Sequence, residues 1–262
     1  MKILNWNISW AKDIMPKIEY LRNQILGESF IVILQEVKPH AYNTIRECLS
    51  DIAQMEYSLL YRIPSRYDTD SRKLGVAILT SKDIAIERAE VLDRVLMPDR
   101  TLMVDVCYNN LCLRVLGLHS ITGCQYGKAK EIQYFSFAEA IDTYKPDIVG
   151  IDANEPETDH YDVGRMKFFD NHQNGNGCKS FFETMTQNYL SDAFVKDYDK
   201  SKFVNGECLT TSHIIKRGGK KVRYDFLFIN EQKISDYSCE YKYEEAILAG
   251  SDHAVILIKT NN

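Results

Sequence analysis

Short apolar runs recur along the whole 262-residue chain, separated by longer amphipathic stretches, with no repeat, low-complexity tract or Pro/Gly-rich linker between them. This alternation is the feature that most restricts the fold. Residues 3–8 alternate apolar and polar, which predicts a strand, and Ile31 to Leu34 is a continuous apolar run, as expected of a strand covered on both faces. Residues 13–26 carry Ile14, Ile18, Leu21, Ile25 and Leu26 at helical spacing, and Pro39 opens a second helix near 40–54. Strands are predicted at about 57–62, 74–80, 84–93 and 101–108, with another at 111–118 after an Asn109-Asn110 turn. A helix over 128–144 stops before Pro146, and 147–151 reads as a strand. Residues 152–176 are polar and turn-rich, a long surface loop. A helix over 179–190 and strands near 208–215, 222–229, 234–243 and 254–259 complete the chain. Each half offers strands and helices, which suits two packed sheets with helices outside, in one domain over 1–262.

Composition narrows the class. Hydrophobic residues make up 45% and charged residues 26%, ordinary for a soluble globular chain and too apolar for a disordered one. Thirty-two Lys and Arg against 37 Asp and Glu give a net charge of −5, which excludes a generally basic coat. It does not exclude a nucleic-acid ligand, because capture depends on where cations sit rather than on their sum. Seven cysteines, an odd number without CxxC spacing, argue against a disulfide framework. Cys107 and Cys112 are neighbours across the predicted hairpin, and zinc there would lack two partners, so small core side chains are the simpler reading. The first residues contain no uninterrupted apolar segment, and no later run approaches the length of a membrane span. Reduced thiols and no export signal point to the cytoplasm.

The polar residues that could carry chemistry gather at the downstream ends of the apolar runs. Six such ends stand out: Asn5 and Asn7, Gln35-Glu36, His119-Ser120, Asp152-Ala153-Asn154, Asp225, and Ser251-Asp252-His253. One carboxylate after a strand is commonly a helix cap or turn former. The combination points elsewhere. A phosphodiester resists attack because it is anionic, and a hard cation on one or two carboxylates neutralises the charge that builds on its oxygens. Glu36, Asn7 and Asp252 offer such oxygen ligands. Asp225 behind His253 would fix the imidazole's tautomer and favour its charged form, and Asn154 could donate to a phosphate oxygen without adding charge.

On Leu4-Asn5-Trp6-Asn7-Ile8, Leu34-Gln35-Glu36-Val37, Leu118-His119-Ser120, Asp152-Ala153-Asn154, Arg223-Tyr224-Asp225-Phe226-Leu227-Phe228 and Ser251-Asp252-His253, in that order, the chain resembles the endonuclease/exonuclease/phosphatase superfamily. The resemblance implies a four-layer α/β/β/α sandwich of two packed mixed sheets flanked by helices, with the site at one edge. It also implies Mg²⁺ or Mn²⁺ on Glu36 as main ligand, supported by Asn7 and Asp252. His253, oriented by Asp225, would be base or phosphate contact. Asp152 would position or deprotonate water, Asn154 would hold a phosphate oxygen, and His119 would contact phosphate or aid the leaving group. Two departures concern loop geometry: Ile151 stands where the family usually has glycine, with Gly150 one place earlier, and Val255 stands where it often has proline.

The substrate is read from cations and rings. Lys216, Arg217, Lys220, Lys221 and Arg223 put five cations into eight residues, a hairpin tip that could grip a nucleic-acid backbone or serve as a solvated turn. Lys128 and Lys130 could add to that face, and Tyr126, Tyr161, Phe168 and Phe169 could stack on bases or pack in the core. His160 and His172 read as surface residues, and His213 as structural. The leading expectation is a metal-dependent nuclease acting on DNA or RNA. A small-molecule or lipid phosphoesterase is the alternative, and a silent binding protein a third. No obligate protein partner is legible.

Overall fold

The computed structural model describes residues 1–11, 13–62, 73–169, 175–197 and 210–260. In chain order the strands are β1 (Lys2–Asn7), β2 (Phe30–Val37), β3 (Ala53–Tyr57), β4 (Gly75–Ser81), β5 (Ala85–Glu90), β6 (Thr101–Tyr108) and β7 (Leu111–His119). They continue as β8 (Ile148–Asp152), β9 (Leu190–Asp192), β10 (His213–Ile214), β11 (Lys221–Val222), β12 (Asp225–Asn230), β13 (Tyr237–Lys242) and β14 (Val255–Thr260). The helices are α1 (Met15–Ile25), α2 (Pro39–Cys48), α3 (Gly123–Tyr126), α4 (Lys128–Tyr144), α5 (Gly175–Gln187), α6 (Ala193–Asp197) and α7 (Tyr243–Leu248).

Two six-stranded sheets form, in the orders β13-β14-β1-β2-β4-β3 and β5-β6-β7-β8-β12-β9. Each contains one parallel pair, β1 with β2 and β7 with β8, and the other pairs are antiparallel. Strand periodicity then sorts side chains into layers. Ile3, Ile31, Ile33, Val76, Val104, Val115, Leu227 and Ile256 point between the sheets into one buried core. Their neighbours Leu4, Trp6, Val32, Leu34 and Leu257 face Ile18 and Leu21 of α1 and Ala41 and Ile45 of α2. Val149, Ile151, Phe226 and Phe228 face Tyr134 and Phe137 of α4 and Phe181 and Phe182 of α5. The architecture is the four-layer α/β/β/α sandwich.

The differences from the sequence reading have local causes. The strand expected at 57–62 lies instead at Ala53–Tyr57, after a helix that ends at Cys48, and beyond it Ser58 Oγ donates to Asp99 O and accepts from Val76 N in a 3₁₀ turn over Ser58–Leu60. The strand expected at 222–229 is split, since Ser212 Oγ accepts from both Tyr224 N and Asp225 N. Of the strand expected near 208–215, residues 208 and 209 lie outside the described residues, and pairing is limited to β10. Cys107 and Cys112 stand in register and are joined by a disulfide, correcting the expectation of reduced thiols there. Asn109 and Asn110, both at positive φ, close that hairpin tightly enough to bring the sulfurs together. Cys48, Cys124, Cys178 and Cys239 carry free thiols, and Cys208 is outside the described residues. Among the described residues no helix is long and apolar enough to cross a membrane.

Candidate active site

The same alternation that builds the inter-sheet core ends in polar groups at one edge of it. On β1 the inward positions run Ile3, Asn5, Asn7; on β8 they run Ile148, Gly150, Asp152. Asn5 ties the sheets together: its Oδ1 accepts from Gln35 Nε2 at 2.7 Å and its Nδ2 donates to Phe226 O at 3.1 Å. The approach there is close enough to need glycine. A Cβ on Gly150 would stand 2.5 Å from Asn5 Oδ1 and 2.7 Å from Ile33 Cδ1. Gly150 therefore serves the packing between sheets, while Ile151 points the other way into the helical layer.

Beyond Asn5 the edge is a row of three cross-sheet contacts. In the first sheet β14, β1 and β2 are adjacent, in the second β12, β8 and β7, and each facing pair of strands contributes one contact. Glu36 at the end of β2 meets His119 at the end of β7, Oε1 to Nε2 at 3.7 Å. Asn7 of β1 meets Asp152 of β8, Nδ2 donating to Oδ2 at 2.8 Å. His253, just before β14, meets Asp225 of β12, Nδ1 donating to Oδ2 at 2.9 Å. A register shift between Leu34 and Val37, with Glu36 at a φ of 58°, turns the Glu36 carboxylate into this row. Its Oε2 accepts from Trp10 N at 3.0 Å. Asp152 is also 3.9 Å from His119 Nε2 and accepts from Asn154 N at 3.1 Å. Asn154, itself at positive φ, donates through Nδ2 to Ser120 O and to Asp152 Oδ2.

The charges are unevenly matched. Burial, followed by the nearby Asp225 carboxylate, raises the Asp152 carboxyl to about 7. Burial works to lower the His253 imidazole, but Asp225 and Asp152 outweigh it and lift it to about 10. His119 is held well below its ordinary value by burial and then by Arg100, so its ring is neutral. Arg100 Nη1 lies 2.8 Å from Nδ1 and 3.4 Å from Nε2 of His119. Since the two ring nitrogens are only about 2.2 Å apart, the guanidinium sits over the ring rather than in line with either lone pair.

The donor set fits a hard divalent cation. Glu36, His119 and Asp152 each offer a ligand atom within 4.8 Å of the others. Among the described residues Asp225 Oδ1 is buried with no hydrogen-bond partner, and it lies near the buried Asp152 carboxylate, a concentration of acids that a cation would relieve.

The structure thus brings Asn7, Glu36, His119, Asp152, Asn154, Asp225 and His253 to one edge. Asp252 belongs to a different set, with His213 and His253, rather than beside Glu36. The basic hairpin divides. Lys216 and Arg217 line a groove of about 490 Å³, with Phe169, Tyr224, His213 and Asp252. Lys220 and Lys221 instead line a separate hollow with Glu157 and Asp159, and Lys220 Nζ donates to Glu157 O. Tyr126 lines the cavity at the row itself, of about 190 Å³, and Phe168 is in the core. His160, expected at the surface, is buried under Tyr161 and accepts from Asp162 N. His172 lies outside the described residues. The sequence reading missed Arg100 and Trp10, both lining this cavity. It also gave His213 only a structural role, although its ring stacks on His253 at 4.5 Å. Arg100 precedes a strand instead of following one, and Trp10 and His213 end no apolar run, so a search of downstream strand ends passes over all three.

No family model matches the chain, and no curated protein sequence does. Solved structures do. The Neisseria 3′ phosphatase NExo, bound to a product DNA hairpin, aligns over 100% of both chains at 16% identity with a TM-score of 0.67. The human Nocturnin catalytic domain aligns over 98% of this chain and 93% of its own, at 13% identity and 0.67. D. rerio TDP2, complexed with a single-strand DNA product, aligns over 100% of this chain and 99% of its own, at 12% and 0.60. The chain shares the fold of these three proteins. Within this fold the three-contact row occupies one edge of the paired sheets. Function has to be argued from that row, because one fold hosts many activities.

Proposed function

We propose that the chain is a divalent-metal-dependent phosphodiesterase that hydrolyses DNA or RNA. The observation that carries this reading is the three-contact row, which sets Glu36, Asp152 and His253 side by side with their partners His119, Asn7 and Asp225. Glu36 would be the principal holder of Mg²⁺ or Mn²⁺, with Asn7 in support, and the ion would supply neutralisation of charge on the phosphate oxygens. Asp152, oriented by Asn7 and poised near neutrality, orients the attacking water and accepts its proton at Oδ1 or Oδ2. His253 keeps its charge through Asp225 and presents Nε2 to a phosphate oxygen. The Asn154 amide adds an uncharged donor beside Asp152. His119 stays neutral under Arg100 and binds on the leaving-group side. Two of the similar structures hold DNA products, which supports a nucleic-acid substrate for this chain.

The test is a panel of labelled substrates with Mg²⁺ or Mn²⁺: single- and double-stranded DNA, RNA, abasic duplex, a lipid phosphodiester and an inositol phosphate. We expect cleavage of a nucleic acid, its loss with chelator, and a drop of at least about 100-fold in Glu36→Ala and Asp152→Asn. Cleavage that survives chelation, or a preference for the lipid or inositol arm, would overturn the reading.

A further inference from the structure

The row has a direction, and its surroundings repeat at both ends. In the first sheet β14 and β2 flank β1, so His253 and Glu36 lie on opposite sides of Asn7. Past His253 the rings continue: His213 stacks on it at 4.5 Å, the buried Tyr224 follows at 5.9 Å and Phe169 at 6.5 Å, and Phe169, the half-buried ring at the end of this series, shares the groove with Lys216 and Arg217. Past Glu36 stands a second ring with a cation. Trp10 lines the catalytic cavity, is half-buried, and has Lys38 Nζ 4.2 Å from its ring centroid. The cavity holding Trp10 and the groove holding Lys216 meet at Thr122 and Asn154, beside Asp152.

A π face paired with a cation is what one nucleotide of an unpaired strand requires, a surface for the base and a charge for the backbone. One such pair beside a phosphoesterase centre would suit a strand end. Two, on opposite sides of the reacting position, suit a strand that continues in both directions. Building on the nuclease reading, we infer that this chain cuts within a strand, holding a nucleotide on each side of the scissile phosphate, and that Trp10 and Lys38 form the subsite on the Glu36 side. Lys38 directly precedes α2, whose first residue is Pro39, so its backbone is set by the strand-to-helix junction and its ammonium lies within reach of the indole. Trp10 also secures Glu36, but through its backbone N–H, which a side-chain substitution leaves in place.

The experiment compares closed single-stranded circles of DNA and of RNA with linear strands of the same sequence, using the full chain with Mg²⁺ or Mn²⁺. We expect circles of the preferred nucleic acid to be opened at a rate within about threefold of the linear strand. Trp10→Ala should raise KM about tenfold with kcat little changed, and Trp10→Phe should restore most of it. Lys38→Gln should lower the slope of log affinity against log salt by about one. Linear strands shortened from their ends while circles survive would overturn the inference and leave the nuclease reading standing. No cleavage of circle or line would sink both. Equal KM for the wild type, Trp10→Ala and Trp10→Phe, with matching thermal melts, would remove Trp10 from the subsite and the inference with it.

Discussion

His253 and Asp225 show how one residue's surroundings set its chemistry. Burial alone disfavours a charged imidazole, and the Asp225 and Asp152 carboxylates reverse that. The charged form of His253 is the active one in the mechanism proposed, so activity falls as pH rises through the folded pKa near 10. Asp225→Asn removes the largest charge that raises this value while keeping an acceptor near Nδ1. The alkaline limb of the pH–rate profile should therefore move to lower pH, and kcat near neutrality should fall by roughly 10²–10⁴-fold. A profile with an unmoved alkaline limb would take His253 out of that role. Both residues were legible in the sequence through the segments 223–228 and 251–253 that carry the resemblance, although Asp225 opens its strand, β12, and His253 stands before β14, rather than at a downstream end. Arg100 was not, since its role depends on the His119 ring that it meets from the turn before β6.

At the scale of elements, the site depends on how closely two strands can pass. Gly150 on β8 is paired with Gly117 on β7, and a Cβ on Gly117 would meet Val76 Cγ1 at 2.6 Å and Ile33 Cγ2 at 2.9 Å. These paired glycines allow the sheets to approach just inside the polar row, where Asn5 crosses between them. Gly150→Ala pushes against the Asn5 amide and an isoleucine in a filled core. It should cost about 1–3 kcal/mol in urea unfolding. Because β8 ends in Asp152 two residues later, activity should fall further than the loss of folded protein explains. Full activity in the fraction that remains folded would show that the spacing of the sheets does not position Asp152. The sequence showed Gly150 only as a misplaced family glycine. Its partner Asn5 lies about 145 residues away, and that encounter exists only in the folded chain.

For the whole molecule, a net charge of −5 coexists with a local concentration of cations around one edge. Lys216 and Arg217 share a groove with the rings that lead to His253, whereas Lys220 and Lys221 turn towards Glu157 and Asp159. Lys216→Gln with Arg217→Gln should weaken nucleic-acid binding and reduce its salt slope by about two, roughly one per lost cation. The matching pair at Lys220 and Lys221 should change the slope little, and an equal effect of both pairs would mean the groove is not the path of the strand. By itself the sequence determined the strands and helices that carry an unmistakable apolar period, the four layers, and the acids, amides and histidines placed at strand ends, because hydrophobic burial and pleat alternation act locally. It also marked 216–223 as basic. Tertiary structure alone decided which of those groups meet, which lysines reach the site, and that Trp10, Arg100 and His213 join it. Contacts between side chains on different strands depend on sheet order and sheet spacing, and no periodicity within a single segment encodes either.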